Sequence, residues 1–209
     1  MTDIIIVGAG WAGCAAAVAA AKQGARVKLL ERTDMILGTG LAGGILRNNG
    51  RLTAALELEA MGGADLFAAL EPTLRHRNIS FPGHDHADLY DIALAPGAVL
   101  DCLKRWGVTL RTQTRITGIS MSADKTSIES VTDNHGNTYA ADAFLDATGT
   151  AGPTANCARY GNGCSMCILR CPSFGGRVSL AALAGVRELE ARRPDGTHGA
   201  MSGSCKLMK

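Results

Sequence analysis

The chain has 209 residues, of which 46% are hydrophobic and 19% charged, and its formal net charge is +2. This composition predicts a packed globular core, and the nearly neutral charge argues against nucleic acid or an acidic membrane as a partner. Seven cysteines without a basic leader argue against a secreted disulfide scaffold. The apolar run 15–21 is too short to cross a bilayer, so a cytoplasmic protein with no membrane partner is expected.

The start of the chain predicts one strand–helix–strand unit. The run DIIIV at 3–7 is typical of a buried parallel strand, and the alanine-rich run 11–23 predicts a helix. Gly24 is expected to end that helix, and RVKLL at 26–30 predicts a second strand that leads into Glu31. A strand, glycine turn, helix and strand in this order make a βαβ unit.

The next part of the chain is predicted to be less regular. Residues 33–95 are interpreted as an insertion, with helices expected near 53–61 and 64–76. His84-Asp85-His86 follows a Pro-Gly pair and is expected in a solvated or substrate-facing loop, because no third metal ligand is evident beside the two histidines.

A helix from Ala98 to Trp106 is expected next, and an antiparallel β-meander is expected over 108–141. Turn residues DNHGN at 133–137 separate its last two strands. AFLDATG at 143–149 predicts a further buried strand that ends in a glycine turn. The meander strands are expected at 108–121, 126–133 and 137–141.

The turn between the first strand and the first helix carries a dinucleotide-binding pattern. VGAGWAG gives Gly8-x-Gly10-x-x-Gly13, in which Gly8 permits a tight turn, Gly10 admits a diphosphate and Gly13 allows close helix packing. The helix N-terminus supplies N–H donors and a positive dipole end. Glu31 ends the second strand, where a carboxylate can accept hydrogen bonds from ribose hydroxyls. The alternative is a glycine turn that binds no nucleotide.

Longer stretches extend this pattern into a family resemblance. IIIVGAGWAGCAAAVAAAKQGARVKLLER followed by GTGLAGG, and later LDATG, resemble the FAD-dependent oxidoreductases with two dinucleotide-binding domains, a family that includes heterodisulfide-reductase-like and tRNA-modifying flavoproteins. The resemblance implies an α/β fold: a Rossmann-like FAD-binding domain with a parallel sheet, helices on both faces and an antiparallel β-meander. It implies that FAD is bound by Gly8, Ala9, Gly10, Trp11, Ala12, Gly13, Glu31, Arg32, Gly38, Thr39, Gly40, Gly43, Gly44, Arg47, Ile116, Ala147, Thr148 and Gly149. Within this set the resemblance places Glu31 and Arg32 at the adenosine end and the backbone of Ile116 against adenine.

The same resemblance predicts what completes the fold. Such flavoproteins carry a late glycine–aspartate segment and a substrate domain over the flavin, and neither occurs before Lys209. We interpret 1–150 as the FAD-binding domain and 151–209, with a helix near 179–193, as the start of an incomplete second domain. A second polypeptide is expected to supply the remainder, with truncation as the alternative. A small-molecule or disulfide substrate and an electron carrier are the other expected partners.

Four cysteines in one short stretch indicate a metal or redox centre. In the run Cys157-x6-Cys164-x2-Cys167-x3-Cys171-Pro172, the last three cysteines and the proline follow a bacterial ferredoxin pattern, which predicts a [4Fe–4S] cluster on four thiolates. The first gap is longer than in that pattern. Cys164 and Cys167 alone form a CxxC pair that can work as a dithiol. Structural zinc or inert cysteines are the third interpretation.

Other polar and sulfur-bearing residues have less specific interpretations. Cys14 and Cys102 are expected to pack in helices as small hydrophobes. Cys205 is expected to have no role, with a third redox sulfur as the alternative. Arg47 and Asn48 follow the second glycine segment, where they can bind a substrate carboxylate or the flavin edge, or form a solvated turn.

The patterns together predict an FAD-dependent oxidoreductase whose flavin performs two-electron transfer and whose cysteine centre relays the electrons. The first alternative is a flavin-linked thiol–disulfide reductase that uses the CxxC pair. The second is a nucleotide-binding subunit without turnover of its own. A tRNA-modifying flavoprotein is a more distant alternative, which the absence of a basic surface pattern disfavours.

Overall fold

A parallel β-sheet lies at the centre of this computed structural model, which describes residues 1–48, 55–57, 59–149, 173–186 and 194–195. Its strands are β1 (Asp3–Val7), β2 (Arg26–Leu30), β6 (Thr109–Arg111) and β10 (Ala143–Asp146). They lie in the order β10-β1-β2-β6, and β1 pairs in parallel with both of its neighbours. The strands predicted at 3–7 and 26–30 are confirmed.

Helices cover one face of this sheet. Ile6 and Leu29 point to that face and pack in a core that contains Val18, Leu66 and Val99 from three helices. The first helix is followed by Gly24 at φ +83°, a left-handed conformation that favours glycine. The helices are α1 (Trp11–Lys22), α2 (Gly40–Gly43), α3 (Ala64–Leu70), α4 (Ala95–Arg105) and α5 (Leu180–Leu183).

An antiparallel sheet covers most of the other face. Its strands β7 (Ile116–Met121), β8 (Ile128–Asp133) and β9 (Thr138–Ala140) pair in the order β7-β8-β9. Ile5 and Leu30 of the parallel sheet pack here against the meander, and Leu180 of α5 joins the same cluster. The prediction of helices on both faces is therefore only partly right, because α5 has four residues and the meander provides most of this layer.

The meander begins later than the sequence predicts. Residues 109–111 form β6, in which Leu110 lies opposite Leu29 in the parallel sheet, rather than a meander strand. The chain then turns at Gln113, where φ is +53°, before it enters β7. Because no glycine or proline lies between residues 108 and 117, the residue pattern does not mark this break. Over 116–140 the predicted meander is confirmed.

The turn between β8 and β9 is organised by Asp133. Its carboxylate accepts hydrogen bonds from the backbone N–H groups of His135 (2.8 Å) and Asn137 (2.9 Å), from the Asn137 amide (3.0 Å) and from the Tyr139 hydroxyl (2.8 Å). Burial raises the pKa of Asp133, but these donors outweigh it and lower the pKa from 3.8 to about 2. The carboxylate thus holds the turn in its ionised form.

This network predicts a pH-dependent loss of stability. A carboxyl whose pKa is depressed on folding contributes stability above its unfolded pKa, and that contribution is lost as pH falls towards the folded pKa. We expect Asp133→Asn to lower the free energy of unfolding by about 2 kcal/mol at neutral pH. The difference from wild type should shrink between about pH 4 and pH 2, as measured by urea unfolding.

Asp101→Asn is the matched control, because the Asp101 side chain is 75% exposed. It should leave the free energy of unfolding nearly unchanged at every pH. A constant difference between wild type and Asp133→Asn down to pH 2 would contradict the role assigned to Asp133.

A second antiparallel sheet fills the region that the sequence predicts as irregular. It consists of β3 (Ile45–Arg47), β4 (Leu74–Phe81) and β5 (His84–Tyr90), in the order β3-β5-β4. The helix predicted at 64–76 ends at Leu70 and continues through a 3₁₀ turn into β4. His84-Asp85-His86 begins β5, so its assignment to a loop is wrong.

The residue pattern does not predict the strand β4, because most of the residues in this strand are exposed. A strand with only one buried face alternates between apolar and polar residues, whereas the segment RHRNIS shows no such alternation. The Pro82-Gly83 pair, interpreted as the start of a loop, is instead the connection between the two strands, with Gly83 at φ +84°.

The strand β10 is shorter and more exposed than predicted. It ends at Asp146 rather than continuing to 149, and the Leu145 side chain is 43% exposed. Of the helix predicted at 179–193, the structure describes α5 and the residues up to 186, whereas 187–193 lie outside the described residues. The division of the chain at residue 150 stays a prediction.

None of the helices described here is both long enough and apolar enough to cross a membrane.

Candidate dinucleotide-binding site

The turn between β1 and α1 requires glycine at two positions for steric reasons. A Cβ on Gly13 would lie 1.8 Å from the Gly8 carbonyl oxygen. A Cβ on Gly8 would lie 2.4 Å from the Ala147 carbonyl oxygen, and Gly8 adopts φ +101°. Since these contacts are to backbone atoms, both glycines allow α1 and the end of β10 to approach the turn closely.

Gly10 differs from its two neighbours in the motif because its Cβ would meet nothing within 4 Å. Gly10 is the N-cap of α1 and has no side chain to satisfy the first N–H groups of the helix. Those groups and the positive end of the helix dipole are suited to an anionic ligand. The space over Gly10 thus matches the close approach of a diphosphate.

The backbone N–H and the carbonyl of Ala9 both form hydrogen bonds within the protein. Glu31 is 8% exposed, and its Oε2 accepts a hydrogen bond from the Ala9 N–H (2.8 Å) while Oε1 accepts one from the Thr33 N–H (2.9 Å). The Ala9 carbonyl accepts from the Leu37 N–H (2.7 Å) and the Cys14 thiol (3.4 Å). Glu31 therefore stabilises the turn. Each of its carboxylate oxygens can accept a second hydrogen bond, so these two bonds do not conflict with the contact to ribose, which stays a prediction.

The second glycine segment lies directly against the first. Leu37 forms a parallel bridge with Gly10, and a Cβ on Gly38 would lie 3.5 Å from the Gly10 Cα. Leu37 is fully buried and adopts φ +75°, a strained conformation for a bulky residue. Strain of this kind is concentrated at functional sites. Thr39 then leads into α2, which contains Gly40 and Gly43.

Trp11 packs against protein rather than standing free over the turn. Its ring centroid lies 5.8 Å from that of Phe67 and 6.2 Å from that of Tyr90. The Trp11 indole N–H donates a hydrogen bond to the Tyr90 hydroxyl (3.2 Å), which in turn donates to the Gly40 carbonyl (2.5 Å). Sequence analysis missed Tyr90, because it ends a strand that the pattern does not predict.

Asp146 connects the end of β10 to the segment that begins at 173. Its carboxylate accepts hydrogen bonds from the Thr148 N–H (3.0 Å) and hydroxyl (2.5 Å), from the Ser179 hydroxyl (2.8 Å) and from the Leu180 N–H (2.8 Å). Burial raises the pKa of Asp146, but these donors produce a net lowering. Sequence analysis missed this carboxylate, although it belongs to the LDATG motif. Ala147 follows it and donates to the Val7 carbonyl (2.8 Å).

Two arginines near the end of β2 bind the same later segment. Arg32, predicted at the adenosine end, donates to the Gly175 carbonyl, and Arg115 donates to the Gly176 carbonyl (2.8 Å). Ile116, predicted to contact adenine through its backbone, follows Arg115 and is 2% exposed in β7. Contacts of Arg32 and Ile116 with adenosine stay predictions.

Arg47 lies in an ion-pair network instead of a solvated turn. Its Nε donates to Asp88 (2.6 Å), and its two terminal nitrogens donate to Glu59 (3.2 Å) and Glu71 (3.0 Å). The Arg47 side chain is 14% exposed. Because three carboxylates surround this guanidinium, the structure favours a structural role over the predicted contact with flavin or substrate. Asn48 contacts His84 in the same sheet.

We expect Arg47→Met to destabilise the fold, because it leaves three carboxylates facing one another. The loss should be roughly 2 kcal/mol at neutral pH, below the value for a fully buried pair because this network is partly exposed. It should diminish in acid as Asp88 protonates, because burial raises the pKa of that carboxyl but the hydrogen bond from Arg47 helps to lower it below its usual value. Arg75→Met is the control, since Arg75 pairs with Asp91 and is 60% exposed. Equal free energies of unfolding for the two variants would contradict this account.

The described cysteines fit their predicted packing role. Cys14 and Cys102 are both buried and not in disulfides, which confirms that they pack as small hydrophobes. Burial raises the pKa of the Cys14 thiol to about 12, and burial also raises that of Cys102. The predicted cluster ligands Cys157, Cys164, Cys167 and Cys171 lie outside the described residues, as does Cys205.

A parallel βαβ sheet with a glycine turn at the strand end and an antiparallel meander on one face defines a Rossmann-like dinucleotide-binding domain. The chain belongs to the FAD dependent oxidoreductase family, whose model matches residues 3–158. FAD is accordingly the cofactor of the family. The open space at Gly10, the uncapped start of α1 and the bracing of Ala9 fit that dinucleotide.

Three solved structures illustrate the similarity of the fold. The Diels-Alderase PyrE3 of the pyrroindomycin biosynthetic pathway is 19% identical with a TM-score of 0.54, and 72% of this chain covers 33% of it. CtdE in complex with FAD and substrate 4 is 17% identical with a TM-score of 0.52, and 75% of this chain covers 40% of it. FqzB is 20% identical with a TM-score of 0.53, and 77% of this chain covers 39% of it.

The chain thus spans between a third and two-fifths of the length of these structures, and at such identities the likeness concerns the fold alone. No protein of curated function matches the chain.

Proposed function

We propose that the chain binds FAD across the β1–α1 turn and works as the FAD-binding part of an oxidoreductase with a cysteine-based electron relay. The observation that carries the proposal is the pairing of the two glycine segments, with Gly10 and Leu37 bridged and the space over Gly10 open. The family match supports FAD as the dinucleotide.

The residues of the chain have separate tasks in this proposal. The N–H groups that begin α1 bind the diphosphate, and Glu31 and Arg32 lie where the adenosine end is expected. Gly38, Thr39 and the glycines of α2 border the opposite side of the dinucleotide. Bound FAD would supply two-electron transfer, by which a reduced substrate is oxidised and either two equivalents of a one-electron carrier or one disulfide are reduced.

The described residues on either side of the cysteine stretch support its part in the relay. Thr148, which precedes it, and Ser179, which follows it, both donate hydrogen bonds to Asp146. Described residues from both sides of the stretch therefore meet at one carboxylate on the carboxyl edge of the parallel sheet. This is the edge that carries the β1–α1 turn, because β10 and β1 run in parallel with Asp146 opposite Val7. We propose a [4Fe–4S] cluster on Cys157, Cys164, Cys167 and Cys171.

An unpaired sheet edge supports completion of the fold by another polypeptide. In the described part of the chain β10 pairs only with β1, so its other edge offers backbone donors and acceptors, and Leu145 is 43% exposed. We propose that a second chain supplies the remaining flavoprotein fold on this side.

Isolation of the affinity-tagged chain under anaerobic conditions tests the proposal. Flavin, iron, acid-labile sulfide and co-purifying polypeptides are measured on one preparation. We expect about one FAD and about four irons per chain together with a second polypeptide. A preparation free of flavin would contradict FAD binding, and FAD without oxidoreductase turnover would favour a non-catalytic subunit.

Cysteine variants separate the cluster from a dithiol. Cys157→Ser should remove the iron, and Cys102→Ala, which changes a buried cysteine of α4, should retain it. If wild type contains no iron and two thiols appear on reduction, the CxxC pair Cys164 and Cys167 is the redox group instead.

A further inference from the structure

Tyr90 joins three parts of the candidate site that are distant in the sequence. Its hydroxyl donates to the Gly40 carbonyl (2.5 Å) and accepts from the Trp11 indole N–H (3.2 Å). Its backbone N–H donates to the Gly44 carbonyl (2.7 Å). Trp11 belongs to the first glycine turn, Gly40 and Gly44 belong to the second glycine segment, and Tyr90 ends β5. One residue therefore ties both glycine segments to the β3-β5-β4 sheet.

Two glycines of the second segment allow that segment to lie close to Tyr90. A Cβ on Gly40 would lie 2.6 Å from the Trp11 ring and 2.9 Å from the Tyr90 hydroxyl oxygen. A Cβ on Gly44 would lie 2.6 Å from the Tyr90 carbonyl oxygen, and Gly44 adopts φ +61°. Side chains at either position would push the segment away, so the glycines and Tyr90 together fix the distance between the segment and the first turn.

The environment of the hydroxyl keeps it in the donor state. Tyr90 is 4% exposed, and burial raises its pKa. The phenol is thus protonated at neutral pH and donates its hydrogen bond to the Gly40 carbonyl. A phenylalanine of nearly equal volume would preserve the packing with Trp11 and remove both hydrogen bonds.

We infer that the Tyr90 hydroxyl is a positioning group for the dinucleotide, which sets the spacing between the Gly8–Gly13 turn and the Gly38–Gly44 segment. The inference rests on the proposed function, since it assumes that FAD lies along both segments. It also couples the cofactor site to the β3-β5-β4 sheet, because any displacement of β5 moves the second glycine segment.

Titration of the purified, flavin-depleted protein with FAD tests the inference. Wild type, Tyr90→Phe and Tyr139→Phe are compared for the dissociation constant of FAD, the visible absorption band of the bound flavin and the free energy of unfolding. Tyr139→Phe is the matched control, because it removes a tyrosine hydrogen bond to Asp133 (2.8 Å) in the meander. Both variants are expected to lose comparable stability.

We expect Tyr90→Phe to bind FAD about tenfold more weakly and to shift the flavin band, while Tyr139→Phe binds within about twofold of wild type. Equal FAD affinity of Tyr90→Phe and wild type would overturn the inference and leave the proposed function intact. If wild type itself does not bind FAD, both are overturned.

Trp11→Phe provides a second test if Tyr90→Phe does not fold. It removes the indole N–H bond to Tyr90 and part of the ring volume, and it keeps an aromatic ring beside Phe67. A smaller loss of FAD affinity, about threefold, is expected. Wild-type affinity in this variant would overturn the inference.

Discussion

Gly13→Ala is expected to destabilise the chain by about 3 kcal/mol or more, the largest effect of any single methyl group described here. The new Cβ would lie 1.8 Å from the Gly8 carbonyl oxygen, a backbone atom that cannot rotate away. Relief requires α1 to move off β1, which opens the core around Cys14 and Val18. Urea unfolding at neutral pH measures the change.

Gly97→Ala is the matched control for this prediction. Gly97 is the third residue of α4, as Gly13 is of α1, and a Cβ there would meet nothing within 4 Å. The higher helix propensity of alanine should leave the free energy of unfolding unchanged or raise it by up to about 1 kcal/mol. If Gly13→Ala were as stable as Gly97→Ala, the close contact between α1 and the turn would be wrong.

Gly10→Val should have the opposite phenotype, a stable protein that does not hold FAD. Gly10 has φ −69° and ψ −175°, an extended conformation that valine adopts readily, and no protein atom lies within 4 Å of a Cβ there. The branched side chain would occupy the space in which the diphosphate is proposed to lie. We expect at least about a 100-fold rise in the dissociation constant of FAD, measured by titration.

The free energy of unfolding of flavin-depleted Gly10→Val should stay within about 0.5 kcal/mol of wild type. Gly97→Val controls for the addition of a branched side chain at an exposed glycine and should bind FAD normally. Normal affinity in Gly10→Val would show that the diphosphate lies elsewhere, even if the chain contains FAD.

Sequence reasoning succeeded where the determinants are local. The βαβ unit at the start of the chain follows from an uninterrupted β-branched run, an alanine-rich run and glycines at the turns, and all of its elements occur where predicted. The meander over 116–140 was likewise marked by turn residues. In these segments each element is specified by its own residues.

The predictions failed where structure depends on distant residues. The ion pairs of Arg47 were not predicted, because its partners Glu59, Glu71 and Asp88 lie 12 to 41 positions away in sequence. The hairpin that contains Tyr90 was missed because β4 is mostly exposed and its polar residues carry no period of two. The strand β6 was joined to the meander because only pairing with β2 distinguishes it.

Thr148 and Ser179 both donate hydrogen bonds to Asp146, so the described scaffold itself holds the chain on both sides of residues 150–172. When the residues on both sides of a chain segment are hydrogen-bonded to the same carboxylate, the parallel sheet does not determine how many residues the segment contains. The entropic cost of a longer excursion grows by only about 0.6 kcal/mol for each doubling of its length. Replacement of residues 150–172 by a short linker should therefore leave the described scaffold folded. A metal-binding segment from another protein should be accepted at the same place in the chain.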